Sequence, residues 1–183
     1  VILDLVRRYS RRHRILLVED AAYRELTFEG TVPKSFRYFD RAGDHTAVLQ
    51  TFSKPFSPGL KTGYGLLPRD LVEPVVLQKG NHDFGSANFC QHLLLSAMKS
   101  GLYGKHVARL RKRYAQKRDR MLRALERRFS GPEFTQVNWT HPTGGLYVYL
   151  TLPEGVDTGR NGPLFGRALE EGVLYVPGEC CYP

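Results

Sequence analysis

Sulfur and long apolar runs are what this chain lacks most. It has only three cysteines, Cys90, Cys180 and Cys181, with two methionines and one tryptophan. The cysteines are odd in number and none stands in a CxxC pair, which argues against a disulfide framework, a finger-type zinc site or any metal site. They read as reduced thiols. No stretch reaches the ~18 consecutive apolar residues of a spanning helix, and no charged-then-apolar leader is present. The expectation is a soluble, cytoplasmic protein without a membrane partner. Internal repeats and low-complexity segments are also missing.

Positive charge is plentiful: 27 Lys and Arg against 18 Asp and Glu leave a net charge of +9. That balance raises nucleic acid as a partner. Much of the excess, however, sits in RRYSRRHR (7–14) and KHVARLRKRYAQKRDRMLRALERR (105–128). The second segment carries Val107, Leu110, Tyr114, Met121 and Leu125 at helical spacing, so one face is apolar and the basic residues fall on a solvated surface. Nucleic acid is therefore not the expected partner, although a basic nucleic-acid-binding fragment stands as a third functional reading.

Along the chain, helices and short apolar runs alternate. A helix over 1–13 leads to the apolar run RILLVED (14–20), a loop-rich stretch to 45, then TAVLQTF (46–52) and TGYGLLP (62–68). A short helix from Asp70, a helix over 88–100 and the long basic helix follow. Apolar runs between helices predict buried strands of an α/β sheet. After residue 130, FTQVNWTHPTGGLYVYLTLP predicts two strands around a Pro-Thr-Gly-Gly turn, then the helix LFGRALEEG and the strand VLYV, a smaller α+β unit. The domain expectation is 1–101 for part of a large domain, 102–130 for a linking helix and 131–183 for part of a small domain. The uncapped apolar start VILDL and the stop at Pro183 lead to the expectation of a fragment, inactive by itself.

Ligands of open α/β sheets sit beyond the carboxyl ends of the strands. Asp20 ends RILLVED, and Lys54 follows TAVLQTF by two residues. Asp20 opens Asp-Ala-Ala-Tyr, which puts Tyr23 within reach around a turn. A carboxylate, a phenol and a primary amine each match one atom of pyridoxal phosphate: the ring nitrogen, the ring oxygen and the aldehyde carbon. Thr51, Ser53 and Lys61 would supply hydroxyls and a charge for its phosphate. Taken singly, Asp20 could be a cap or a solvated strand end, Tyr23 a packing aromatic, and Gly144 with Gly145 a hairpin turn. His82 and Asp83, as chain neighbours, need not face one another.

EDAAYREL (19–26), TFSKPFSPGLKTGYG (51–65) and TGGLYVYL (143–150) stand in an order, together with GNHDFGSANFCQHLL (80–94), that resembles the class I/II aminotransferases, which are fold-type I pyridoxal-phosphate enzymes. The resemblance spans nearly the whole chain. It implies part of the large α/β domain plus part of the small C-terminal α+β domain of that fold. It implies that Lys54 forms the Schiff base with the cofactor and shuttles a proton, that Asp20 pairs with the ring nitrogen and that Tyr23 pairs with the ring oxygen. Thr51 takes the place of a phosphate-binding serine, and Ser53 is the hydroxyl before the lysine. Lys61 stands where the family has an arginine, keeping the charge without the bidentate fork. Lys54 is expected to be buried near this second cation. The substrates implied are an amino acid and a 2-oxo acid, in a homodimer of amino-acid metabolism. Two other readings share the fold: the effector domain of a transcription regulator with a winged-helix segment ahead of it, and a carbon–sulfur lyase.

Overall fold

The computed structural model describes residues 1–181. Its elements are α1 (Ile2–Tyr9), β1 (Leu17–Asp20), α2 (Phe36–Phe39), β2 (Thr46–Thr51), β3 (Gly63–Leu66), α3 (Arg69–Asp83), α4 (Asn88–Lys99), α5 (Leu102–Arg128), β4 (Asn138–Trp139), β5 (Leu150–Thr151) and α6 (Pro163–Glu170). They fall into two compact units. The first holds Val1–Arg120 with Pro142–Tyr147, and the second holds Met121–His141 with residues from Val148 onward. No helix among the described residues is long and apolar enough to cross a membrane, and no group of three metal-ligating side chains occurs among them.

In the first unit β2 is the centre of a three-stranded sheet. It runs parallel to β1, from Leu17 opposite Thr46 to Asp20 opposite Leu49, and antiparallel to β3, from Val48 opposite Leu66 to Thr51 opposite Gly63. The expectation of buried strands holds for β2, where Thr46, Ala47, Val48 and Gln50 are all buried. It fails for β1, whose Val18 is 54% exposed, and for β3, whose Tyr64 and Leu66 are 50% and 49% exposed. Strand β1 begins three residues later than its apolar run, since pairing to β2 starts only at Leu17. Helix α1 ends at Tyr9 rather than 13, and the Ser10 hydroxyl accepts the Ile15 N–H at 3.3 Å to close the turn. Helix α3 is longer than expected: it runs through Pro74 to Asp83 and stops where Phe84 takes a left-handed φ of 51°.

Asp40 anchors the opposite edge of this unit, at the start of β2. Only 1% exposed, its carboxylate accepts the His45 N–H and the Thr46 hydroxyl, both at 3.0 Å, while Arg7 stands 3.6 Å away. Burial opposes its ionisation, but the His45 and Thr46 hydrogen bonds, helped by the charges of His45 and Arg7, outweigh it and hold the carboxyl below the usual carboxylate range. A depressed folded-state pKa contributes stability that is present above the unfolded-state value of about 4 and lost as pH falls through the folded one. Asp40→Ala in the full-length protein should therefore cost about 1–3 kcal/mol at pH 7, from the orphaned Thr46 and His45 donors. The gap to wild type should shrink below about pH 4. Urea unfolding at several pH values checks both the size and the sign.

In the second unit, β4 and β5 form a two-residue antiparallel pair, and Phe129 packs edge-on to Phe134 at 5.1 Å and beside Trp139 at 6.2 Å. The expected long hairpin shrinks to this pair because its Pro142–Tyr147 tip belongs to the first unit. The expected strand VLYV (173–176) forms no ladder among the described residues. Its Tyr175 packs on Phe165 at 5.3 Å and donates its hydroxyl to the Thr158 carbonyl at 3.0 Å, and a strand without a neighbouring strand has no backbone partner to define it.

Candidate active site

Strands β1 and β2 run parallel, so their carboxyl ends deliver Asp20 and the Thr51–Lys54 segment to one edge of the sheet. Side chains alternate along a strand, and this separates the two neighbouring carboxylates of β1. Glu19 turns to the packed side, where it accepts the Phe36 N–H at 2.8 Å and pairs with Arg24 at 3.4 Å. Asp20 stays exposed, and its Oδ1 accepts only the Ala22 N–H, at 3.0 Å. That bond folds the chain into the turn that carries Tyr23, and Leu26, fully buried, pins the turn by donating its N–H to the Tyr23 carbonyl at 2.8 Å.

After β2 the Thr51 hydroxyl accepts the Ser53 N–H at 3.1 Å, and Phe52 accepts the N–H groups of Phe56 and Ser57 at 3.0 and 3.1 Å. One tight turn therefore encloses Ser53, Lys54 and the buried Pro55. Lys54 is exposed rather than buried, and its Nζ lies 5.7 Å from the centre of the half-buried Tyr23 ring. The chain then returns through the short turn Pro58–Leu60, and Lys61 adopts a left-handed φ of 48°. The Phe52 N–H bonds the Thr62 carbonyl at 3.0 Å, so the residue before Thr62, exposed Lys61, comes back to the edge that holds Lys54. The six residues singled out in the sequence thus share one edge, where the Lys54 amine faces the Tyr23 ring.

The return of the chain depends on Gly63. A Cβ there would lie 2.5 Å from the Gln50 carbonyl oxygen, a contact that backbone atoms cannot relieve by rotating away. Gly63→Ala should cost about 1–3 kcal/mol of stability in the full-length protein, read as a lower urea midpoint. It should also loosen the β2–β3 pairing that places Lys61.

Several neighbours had no distinct signal in the sequence. Tyr147 meets Tyr23 edge-on at 6.4 Å. It is brought there because Thr143 accepts the Phe28 and Glu29 N–H groups at 3.0 Å and Gly144 bridges to Thr27. A Cβ on Gly144 would sit 2.8 Å from Thr27 Cα, so this glycine serves close backbone approach rather than a hairpin turn alone. Tyr103 of α5 reaches Glu25, two residues beyond Tyr23. Alternating or helical patterns mark such aromatics as packing residues, and only contact across the fold separates them from others. An open cavity of about 680 Å³ lies on the face of the sheet between Val48, Gln50, Tyr64 and Leu66, near Arg24 and Arg37. None of the six site residues lines it, and both arginines are already engaged, with Glu19 and with the Asp40 carbonyl.

The family model for aminotransferase class I and II matches residues 3–182. Aromatic-amino-acid aminotransferase 1 of Thermococcus litoralis is 33% identical over 183 residues, covering 99% of this chain and 40% of that protein. The crystal structure of Pyrococcus horikoshii kynurenine aminotransferase matches with a TM-score of 0.86 at 34% identity, over 99% of this chain and 42% of that one. An uncharacterized HTH-type transcriptional regulator of Bacillus subtilis, YisV, is 30% identical over 92% of this chain and 33% of its own length. The chain spans about two fifths of the length of the aminotransferases it matches.

Proposed function

Because the chain belongs to the class I and II aminotransferase family, we propose that the full-length protein is a pyridoxal-phosphate-dependent enzyme that moves the amino group of an amino acid to a 2-oxo acid. The observation that carries this reading is the Lys54 amine 5.7 Å from the Tyr23 ring, on the sheet edge that also presents the exposed Asp20 carboxylate. The donor set fits the cofactor chemically: an amine for its aldehyde, an acid for its ring nitrogen, a phenol for its ring oxygen, and the Thr51 and Ser53 hydroxyls with Lys61 for its phosphate. When bound, the cofactor supplies an electron-withdrawing ring that makes the α-hydrogen of an amino acid removable at neutral pH.

The chain's own residues do the rest. Asp20 keeps a proton on the ring nitrogen by placing a negative charge beside it. Tyr23 donates its hydroxyl and holds the ring's orientation. Lys54 Nζ would hold the aldehyde carbon, and as a free amine it would move the α-proton between the amino acid's α-carbon and that carbon, two bonds away. Lys61 contributes charge to the phosphate without a bidentate grip. The homodimer is part of the same proposal, and Phe84 and Phe89, 98% and 77% exposed, offer apolar surface for it.

The test is to supply the full-length protein with cofactor and a panel of amino donors, and to measure 2-oxo acid formation. The names of the two aminotransferase relatives put aromatic amino acids first. Turnover with one or more donors is the expected result. A second reading, the effector domain of a transcription regulator, is favoured by the similarity to YisV. It predicts duplex binding by the full-length protein that changes when cofactor is added, and no turnover with any donor.

A further inference from the structure

Tyr103, in the first turn of α5, touches both loops that carry the proposed cofactor contacts. Its hydroxyl donates to the Glu25 carboxylate, and Glu25 lies in the short turn Arg24–Leu26 whose first flanking residue is Tyr23. Its ring packs on Phe52, edge-on at 5.9 Å, and on Phe56 at 5.4 Å. Those two phenylalanines stand two residues before and two residues after Lys54. Arg111, two turns further along α5, strengthens the first link by donating Nε–H to the Glu25 carbonyl at 2.7 Å. His106 strengthens the second, with its ring 5.4 Å from Phe56.

We propose that Tyr103 is a positioning residue that ties the Tyr23 turn to the Lys54 turn and so sets the approach of the Lys54 amine to the Tyr23 phenol. This inference rests on the aminotransferase reading above. The two turns leave different strands, and among the described contacts a single side chain of α5 bonds one and stacks on the other. Stacking alone would let the turns slide, because aromatic faces have shallow minima; the hydroxyl-to-carboxylate bond is directional and gives the joint one setting. Burial, reinforced by the bond to the Glu25 carboxylate and by its charge, pushes the Tyr103 phenol well above its ordinary range. It therefore remains a donor throughout the range in which an enzyme of this kind is assayed.

The experiment compares full-length wild type, Tyr103→Phe, Glu25→Ala and the double variant, each loaded with pyridoxal phosphate. Tyr103→Phe keeps the ring on Phe52 and Phe56 and loses only the bond to Glu25. Three readouts are taken: kcat and KM with the best amino donor, the pH midpoint of the visible absorption of the loaded protein, and the melting temperature. The expected result for Tyr103→Phe is a fall in kcat of about 10-fold with little change in KM, since a small misplacement of a reacting group is costly. The midpoint should move by about 0.5 pH unit, while melting stays within about 3 °C of wild type. Glu25→Ala should reproduce the effect, and the double variant should be no worse than the worse single change, as expected of two ends of one bond.

An unmoved midpoint and unchanged kcat in Tyr103→Phe, with normal wild-type behaviour, would overturn this inference and leave the aminotransferase reading intact. Additive losses in the double variant would overturn it too, since they would mean two independent structural defects. Should wild type give no visible absorption and no borohydride-fixed cofactor on Lys54, the functional reading and this inference fall together.

Discussion

Lys54→Ala in the full-length protein is expected to lower turnover by ~10⁴-fold, at the upper end of what a positioned acid–base group contributes, because the proposed function gives one amine both tasks, holding the cofactor and moving the proton. The change should leave folding nearly untouched. Lys54 is exposed, and its turn is held by other atoms: the Phe52 carbonyl, the Thr51 hydroxyl and buried Pro55. The direct measurement is borohydride reduction of the loaded protein followed by peptide mass mapping. The mass of the reduced cofactor should appear on the peptide containing Lys54 and disappear in Lys54→Ala, together with the visible absorption. Label on Lys61 or Lys79 instead would assign the chemistry to a different lysine. Lys61→Ala serves as the companion variant: it should retain the label on Lys54 and need about 10-fold more cofactor for saturation, as suits the loss of one charge-assisted phosphate contact.

Asp20 allows a sharper comparison, because the structure gives it a second task. Its Oδ1 accepts the Ala22 N–H at 3.0 Å and so shapes the turn that carries Tyr23, a role that asparagine can fill with its amide oxygen. Asp20→Asn should therefore preserve the turn while removing the negative charge, whereas Asp20→Ala removes both. If the charge is what matters, both variants should lose about 10²–10³-fold in kcat, the scale seen when one electrostatic partner of a reacting centre is deleted. Both should then melt within about 3 °C of wild type. If Asp20 is only a turn former, Asp20→Asn will turn over at nearly the wild-type rate and Asp20→Ala alone will suffer. The first outcome assigns Asp20 to the ring nitrogen, and the second removes it from the site.

Much of the candidate site could be read from order and type of residue. Asp20, Tyr23 and Lys54 stand at the ends of two apolar runs, and parallel neighbouring strands must present such ends on one edge. Spacing in sequence therefore translated into proximity through a general property of α/β sheets. Helix α5 was legible for a related reason: apolar residues at helical steps mark the face that packs, as at buried Val107, although Met121 of the same stripe is 52% exposed.

Strand pairing was less legible. VLYV has the composition of a strand yet forms no ladder among the described residues, because a strand is defined by a partner whose position depends on distant sequence. TGGLY looked like a hairpin tip, and the tertiary structure instead sets its backbone against Thr27–Glu29, where close approach to Thr27 makes Gly144 necessary. The exposure of Lys54 and the link from Tyr103 to Glu25, 78 residues apart, were likewise decided only by folding. The sequence by itself determined which chemical groups reach the sheet edge, since a strand's direction and the residue at its end are local facts. Only the tertiary structure decided how those groups are held against one another, since an aromatic ring or a carboxylate becomes a support through the neighbours that packing brings to it.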